Sequence, residues 1–188
     1  FSNYVYDLEA REGAGGFPDF ELVGATDARA LLLGLPLIAT FKDVPSKDNG
    51  LDVEGALAQN GYFYFGLRGP VLRGRALLVR TRADFTEPET YTLDLHGLGV
   101  RALAAAGGAG ELYILAGPTL TREDRFELFR FTGGDKSPAD VRTADLAFLA
   151  TVPSTETNRP EGVVTLASET CVLSDGVVGG APRCHPRF

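Results

Sequence analysis

Val53-Glu54-Gly55-Ala56-Leu57-Ala58 runs on to Tyr62-Phe63-Tyr64-Phe65-Gly66-Leu67-Arg68-Gly69-Pro70-Val71-Leu72. The pattern returns as Val100-Arg101-Ala102-Leu103-Ala104 before Leu112-Tyr113-Ile114-Leu115-Ala116-Gly117-Pro118-Thr119-Leu120. Each copy opens on a short alternating run, turns, and enters a second apolar run that ends at glycine, which is the strand-turn-strand pattern of antiparallel structure. Glu54 and Arg101 stand 47 residues apart, and Gly69 and Gly117 stand 48 apart. Both spacings match the ~40–50 residues of one four-stranded propeller blade. A third copy opens at Arg159-Pro160-Glu161-Gly162-Val163-Val164-Thr165-Leu166 and continues through Thr170-Cys171-Val172-Leu173-Ser174-Asp175-Gly176.

Working outward, the runs predict one blade with strands near 52–58, 61–68, 75–81 and 90–95, and a second with strands near 99–105, 110–117, 126–131 and 145–152. A partial blade near 161–178 supplies only two strands, near 161–167 and 169–175. The fold class is all-β: propeller-like blades of four-stranded antiparallel sheet in a single domain or partial domain, residues 1–188. A ring closes with roughly four to eight blades, and two and a half leave sheet faces uncovered. The reading therefore expects either a missing N-terminal part of the same protein or a second chain to complete the ring. Phe1 in place of Met, and Tyr4-Val5-Tyr6-Asp7-Leu8 reading as a strand from the outset, agree with a processed or partial chain.

The region before the first copy is less regular. Gly13 to Gly16 and Pro18 mark a loop, and Thr26 to Gly34 reads as one short helix capped by Thr26 and stopped by Gly34. Leu35 to Phe41 reads as a strand. The 188 residues, with 23 glycines and 11 prolines, suit a turn-dense β domain. The net charge of −7 disfavours nucleic acid as a partner. Ala30 to Ala39, the longest apolar stretch, falls short of the ~20 residues that span a bilayer; a soluble chain is expected, with the compartment, cytoplasmic or exported, left open. The arginines at 68, 73, 75, 80 and 82 read as the solvated face of a strand pair. Cys171 and Cys184, 13 positions apart, either form a disulfide that ties the tail to the last strand, or leave Cys171 as a small buried apolar residue.

Pro45-Ser46-Lys47-Asp48-Asn49-Gly50-Leu51-Asp52-Val53-Glu54-Gly55, then Gly66-Leu67-Arg68-Gly69-Pro70, Leu115-Ala116-Gly117-Pro118 and Arg159-Pro160-Glu161-Gly162 occur in that order. Together they resemble the C-terminal half of an uncharacterised bacterial propeller-like family, a domain of unknown function, over roughly residues 28 to 178. The resemblance implies further blades on the N-terminal side and supplies no activity. A weaker likeness, confined to the Asp-x-Glu-Gly blade openings, links the chain to the esterase-like phytases and other calcium-containing propellers.

Those openings hold the candidate site. Period-two alternation puts Asp52 and Glu54 on one strand face, and the copies set Glu54, Arg101 and Glu161 at equivalent positions. Asp48 and Asn49 add oxygen donors in the preceding loop. Asp52, Glu54 and Glu161 are candidate ligands for Ca²⁺ or Mg²⁺, which favour hard oxygen; Arg68 and Arg101 are candidate anion-binding residues. Alternatively Glu54 and Glu161 pair with Arg101 and lock neighbouring blades together. No nucleophile elbow, phosphate loop or zinc signature is present, and His96 reads as a blade-edge residue. Two functions follow: a ligand- or protein-binding module whose channel charges are structural, or a divalent-metal-assisted hydrolase of an anionic phosphate or carboxylic ester. Fold does not choose between them.

Overall fold

Alternating sequence becomes strand almost everywhere in the computed structural model, which describes residues 4–13, 18–120, 125–134, 141–176 and 180–186. The chain divides into two compact units, Phe1–Lys42 and Asp43–Phe188. In the first, β1 (Tyr4–Glu12) pairs antiparallel with β2 (Pro18–Asp27), followed by two short helices, α1 (Ala28–Leu33) and α2 (Pro36–Ala39). Asp27 caps α1, its carboxylate accepting from the N–H groups of Arg29 and Ala30; the expected cap, Thr26, lies within β2. The expected strand over Leu35 to Phe41 contains α2 instead. Pro36 opens that helix, where its missing N–H is harmless and its fixed φ suits the first turn.

The second unit holds an eight-stranded sheet, made of two four-stranded sets (the first and second sheets), and a three-stranded third sheet. The first is β3 (Asp52–Gln59), β4 (Tyr62–Leu72), β5 (Arg75–Arg82) and β6 (Glu89–Leu93). The second is β7 (Gly99–Ala105), β8 (Leu112–Gly117), β9 (Phe126–Gly134) and β10 (Val141–Val152). The third is β11 (Arg159–Thr165), β12 (Glu169–Asp175) and β13 (Arg183–Pro186). Neighbours within each four-stranded set are antiparallel. β10 begins on the wrong sheet: Val141, Arg142 and Thr143 pair in parallel with Thr90, Tyr91 and Thr92 of β6, and Ala144 onward pairs with β9. The eight strands thus form one folded-over, nearly closed, barrel-like sheet, with its end strands β3 and β7 close together.

The sheets stack as layers. β8 is buried along its whole length, and period two divides it between two cores. Leu112, Ile114 and Ala116 join Tyr64, Leu78, Tyr91, Leu93, Phe129 and Phe131 between the first and second sheets. Tyr113 and Leu115 join Phe126, Leu128, Val163 and Val172 between the second and third. Burying each large apolar side chain stabilises by about 1.5–3 kcal/mol, so these cores hold the layers together and the polar groups among them set geometry.

β13, the third strand of the third sheet, lies beyond the two expected there. It is four residues long and sets Cys184 directly opposite Cys171 of β12, to which it is disulfide-bonded. Of the alternatives for Cys171, the bridge is the one formed, on a residue that is also buried. No helix among the described residues is long and apolar enough to cross a membrane.

Candidate functional site

The first strand of each sheet carries a break in its ladder at the same place. In β3, Val53 pairs with Leu67 and Gly55 with Gly66, so Glu54 is skipped. In β7, Val100 pairs with Ala116 and Ala102 with Leu115, skipping Arg101. In β11, Pro160 pairs with Ser174 and Gly162 with Leu173, skipping Glu161. Asp52 pairs with Gly69 and Val53 with Leu67, so a second break on β4 skips Arg68. A bulged residue leaves the ladder and its side chain is re-aimed. Here four bulges deliver four charged side chains.

These converge with Asp52 into one alternating chain. Arg68 Nη2 lies 3.2 Å from Asp52 Oδ2, and Arg68 Nη1 donates to Glu54 Oε1 at 2.9 Å. Arg101 Nη1 approaches Glu54 Oε2 at 2.9 Å, and its Nη2 donates to Glu161 Oε1. All five candidate metal- and anion-binding residues are therefore brought together, in the order Asp52, Arg68, Glu54, Arg101, Glu161, across three sheets. Arg101 is the most deeply placed, its side chain 10% exposed. Close backbone approach makes this possible: a methyl group on Gly99 would collide with the carbonyl oxygen of Arg68, and one on Gly117 would press on the Arg101 stem and the Phe126 ring.

Three carboxylates against two guanidinia leave one net negative charge, and not every polar atom is satisfied. Glu54 Oε2 and Arg101 Nε are buried without a hydrogen-bond partner; the 2.9 Å approach of Oε2 to Arg101 Nη1 is an ion pair lacking hydrogen-bond geometry. Burial pushes the Glu54 carboxyl above its ordinary range. Arg101 and then Arg68 pull it back down, while Asp52 and Glu161 push it further up.

Other expected donors have different duties. Asn49 clamps the Val71 backbone, accepting from its N–H at 2.7 Å and donating to its carbonyl at 3.2 Å. Asp48 lies in a single 3-10 turn, Ser46–Asp48. Among the described residues, Glu169, Cys171 and Cys184 are the group of three candidate metal-ligand atoms gathered within 4.8 Å, and both sulfurs are in the disulfide. Between Asp52, Glu54 and Glu161 lie the two guanidinia.

The arginine-rich stretch is not one solvated face. Arg68 is in the ion-pair chain, Arg82 pairs with Glu87, and Arg75 stands 3.7 Å from Asp94. Arg80 pairs with Glu89, whose other oxygen holds Arg142 at 2.7 Å. Tyr91 Oη donates to Glu89 Oε2 at 3.1 Å, and Arg80 lies over the Tyr62 ring at 4.8 Å. This cluster pins the parallel step between β6 and β10. Glu89 and Arg142 are too far apart in sequence for spacing to have suggested the pair. His96 is also more than an edge residue, because Glu127 Oε2 lies 2.7 Å from its Nδ1.

A family described as "Protein of unknown function (DUF3616)" matches residues 25–182. No curated protein and no solved structure matches the chain.

Proposed function

We propose, for a chain that belongs to this family of unknown function, a ligand- or protein-binding module in which the charges at the strand openings are structural. The observation that carries this reading is the alternation itself: each of the three carboxylates contacts a guanidinium, and Arg101 ties β3 to β11 from the sheet between them. Such a chain fixes how the layers register, while the apolar cores supply the stability. Partner binding has its own support. Val164 and Leu173 are exposed on the face of the third sheet opposite Val163 and Val172, and an apolar sheet face suits packing by a further part of the same protein or by another chain.

The test is a rescue. Arg101→Met leaves Glu54 buried beside Arg68 alone and should cost about 3 kcal/mol or more. Adding Glu54→Gln to that variant should recover at least about 1 kcal/mol. A loss below about 0.5 kcal/mol in Arg101→Met, with no recovery in the double variant, would remove the structural role.

A second reading, the divalent-metal-assisted hydrolase, is favoured by the orphaned Glu54 Oε2 and by an open pocket of about 510 Å³ bordered by Glu161, Ser174 and Asp175. In it Asp52, Glu54 and Glu161 would hold Ca²⁺ or Mg²⁺, and Arg68 or Arg101 would bind an anionic ester. A cation reaching Glu54 must displace at least one guanidinium, and for that reason this reading ranks second.

A further inference from the structure

Among the described residues, Asn60-Gly61, Arg73-Gly74 and His96-Gly97 are tight turns with positive φ at both residues and glycine second. This is the type I′ pattern, for which Asn-Gly is the preferred pair. The third turn closes with the Leu98 N–H donating to the Leu95 carbonyl at 3.0 Å. Asparagine would serve that turn at least as well, so histidine at position 96 calls for another reason. Glu127 supplies one. Its side chain is 9% exposed, and a buried carboxylate is costly unless it is paired. It meets His96 Nδ1 at 2.7 Å, while Arg125 stands 3.8 Å from its other oxygen and donates to the His96 carbonyl. A carboxylate on one ring nitrogen fixes the imidazole's orientation and leaves the other nitrogen available.

The imidazole, 52% exposed, borders a cavity of about 420 Å³ that is also lined by Arg75, Asp94, Phe129, Thr143, Leu146 and Phe148, so an anion bound by Arg75 must displace the Asp94 carboxylate from it. His96 stands edge-on to Phe129 at 5.4 Å, and Phe129 edge-on to Phe148 at 5.7 Å. Phe148 is 51% exposed and borders the cavity, with the His96 ring 6.0 Å from its own. Arg75 is held only loosely, 3.7 Å from Asp94, and an exposed pair at that distance is weak.

We propose that this cavity binds a small aromatic carboxylate. The ligand ring lies against Phe148 and Phe129, and its carboxylate is received by Arg75 and His96 Nε2. In the imidazolium form both ring nitrogens donate, Nδ1 to Glu127 and Nε2 to the ligand. The site uses none of the five residues of the ion-pair chain, and it stands or falls apart from their role.

The probe is 3-phenylpropionate, titrated against the 188-residue chain by ligand-observed NMR. Because the chain has two histidines, His96 and His185, the His96 ring signals can be assigned with His185→Gln and followed in parallel. Saturable binding that shifts the His96 signals is expected. His96→Asn, which keeps the type I′ turn, and Arg75→Met should each weaken binding at least tenfold. Phe148→Ala, on an exposed side chain, should weaken it at least fivefold. Acetate and benzyl alcohol, each carrying half of the probe, should bind at least tenfold more weakly. Absence of saturation, equal binding of benzyl alcohol, or unchanged affinity in folded His96→Asn and Arg75→Met would overturn the proposal.

Discussion

Glu54 and Arg101 occupy the same place in two successive sheets, each being the residue that its ladder skips, and they meet at 2.9 Å. One backbone irregularity, made twice, thus creates both halves of an ion pair. Repeated again in β11, it supplies Glu161 as the next partner.

The pH dependence of this pair has a definite sign. Burial raises the Glu54 pKa from its ordinary 4.5 despite the two arginines, so the folded chain keeps the proton to a higher pH than the unfolded chain does. Stability therefore falls as pH rises from about that ordinary value through the folded pKa, the range in which the folded state binds more protons. Glu54→Gln has no such titration. Denaturant melts between pH 4 and 8 should show wild type losing stability relative to Glu54→Gln as pH increases; a gain instead would mean that the arginines outweigh burial.

Gly99 packs directly on the Arg68 carbonyl, and backbone cannot rotate aside as a side chain can. Gly99→Ala should cost about 3 kcal/mol, at the upper end of ordinary overpacking, and should separate Arg68 from the Asp52 and Glu54 carboxylates. Gly61→Ala provides the contrast: its added methyl meets nothing, so its loss, from the positive φ alone, should stay near 1 kcal/mol. Equal losses in chemical denaturation would show that the contact between Gly99 and Arg68 is not tight.

The Cys171–Cys184 bridge closes a short loop and holds β13 to β12. Reduction, or Cys184→Ser, should lower stability by about 3 kcal/mol on the loop-entropy account. Hydrogen exchange should show β13 losing protection first while β8, buried between two cores, keeps its own. Unchanged melting on reduction would contradict this.

Metal provides the last discrimination. If the ion-pair chain is complete without a cation, thermal melting should be the same in chelator and in millimolar Ca²⁺ or Mg²⁺. A metal held by Asp52, Glu54 and Glu161 would raise the melting temperature by mass action, and Glu54→Gln would abolish the rise. Ester hydrolysis that depends on the cation would decide for the second reading.

The strands of the first two sheets were legible because alternation and glycine-rich turns are local properties. β2 was not, since Pro18 and the glycines before it suggested a loop, nor was α2, a four-residue apolar helix too short to show a period. β13 has no pattern of its own, and its place follows from the disulfide. Spacing brought Glu54, Arg101 and Glu161 into equivalent positions, but bulges leave no mark in sequence, and Arg68 was named only as a candidate anion-binding residue. Glu127 was missed altogether: at sequence level it is one acid in an apolar run, and its meaning depends on His96 meeting it in space.

The step in β10 has a consequence for inheritance. Because Val141, Arg142 and Thr143 border β6 before the strand crosses to β9, the two four-stranded sheets do not end where their connecting turn ends. Cutting the chain at that turn would strip β6 of a neighbour and leave Glu89 without Arg142. The two sheets cannot be exchanged as cassettes: a recombination event that preserves either must carry the seam, and so must carry both.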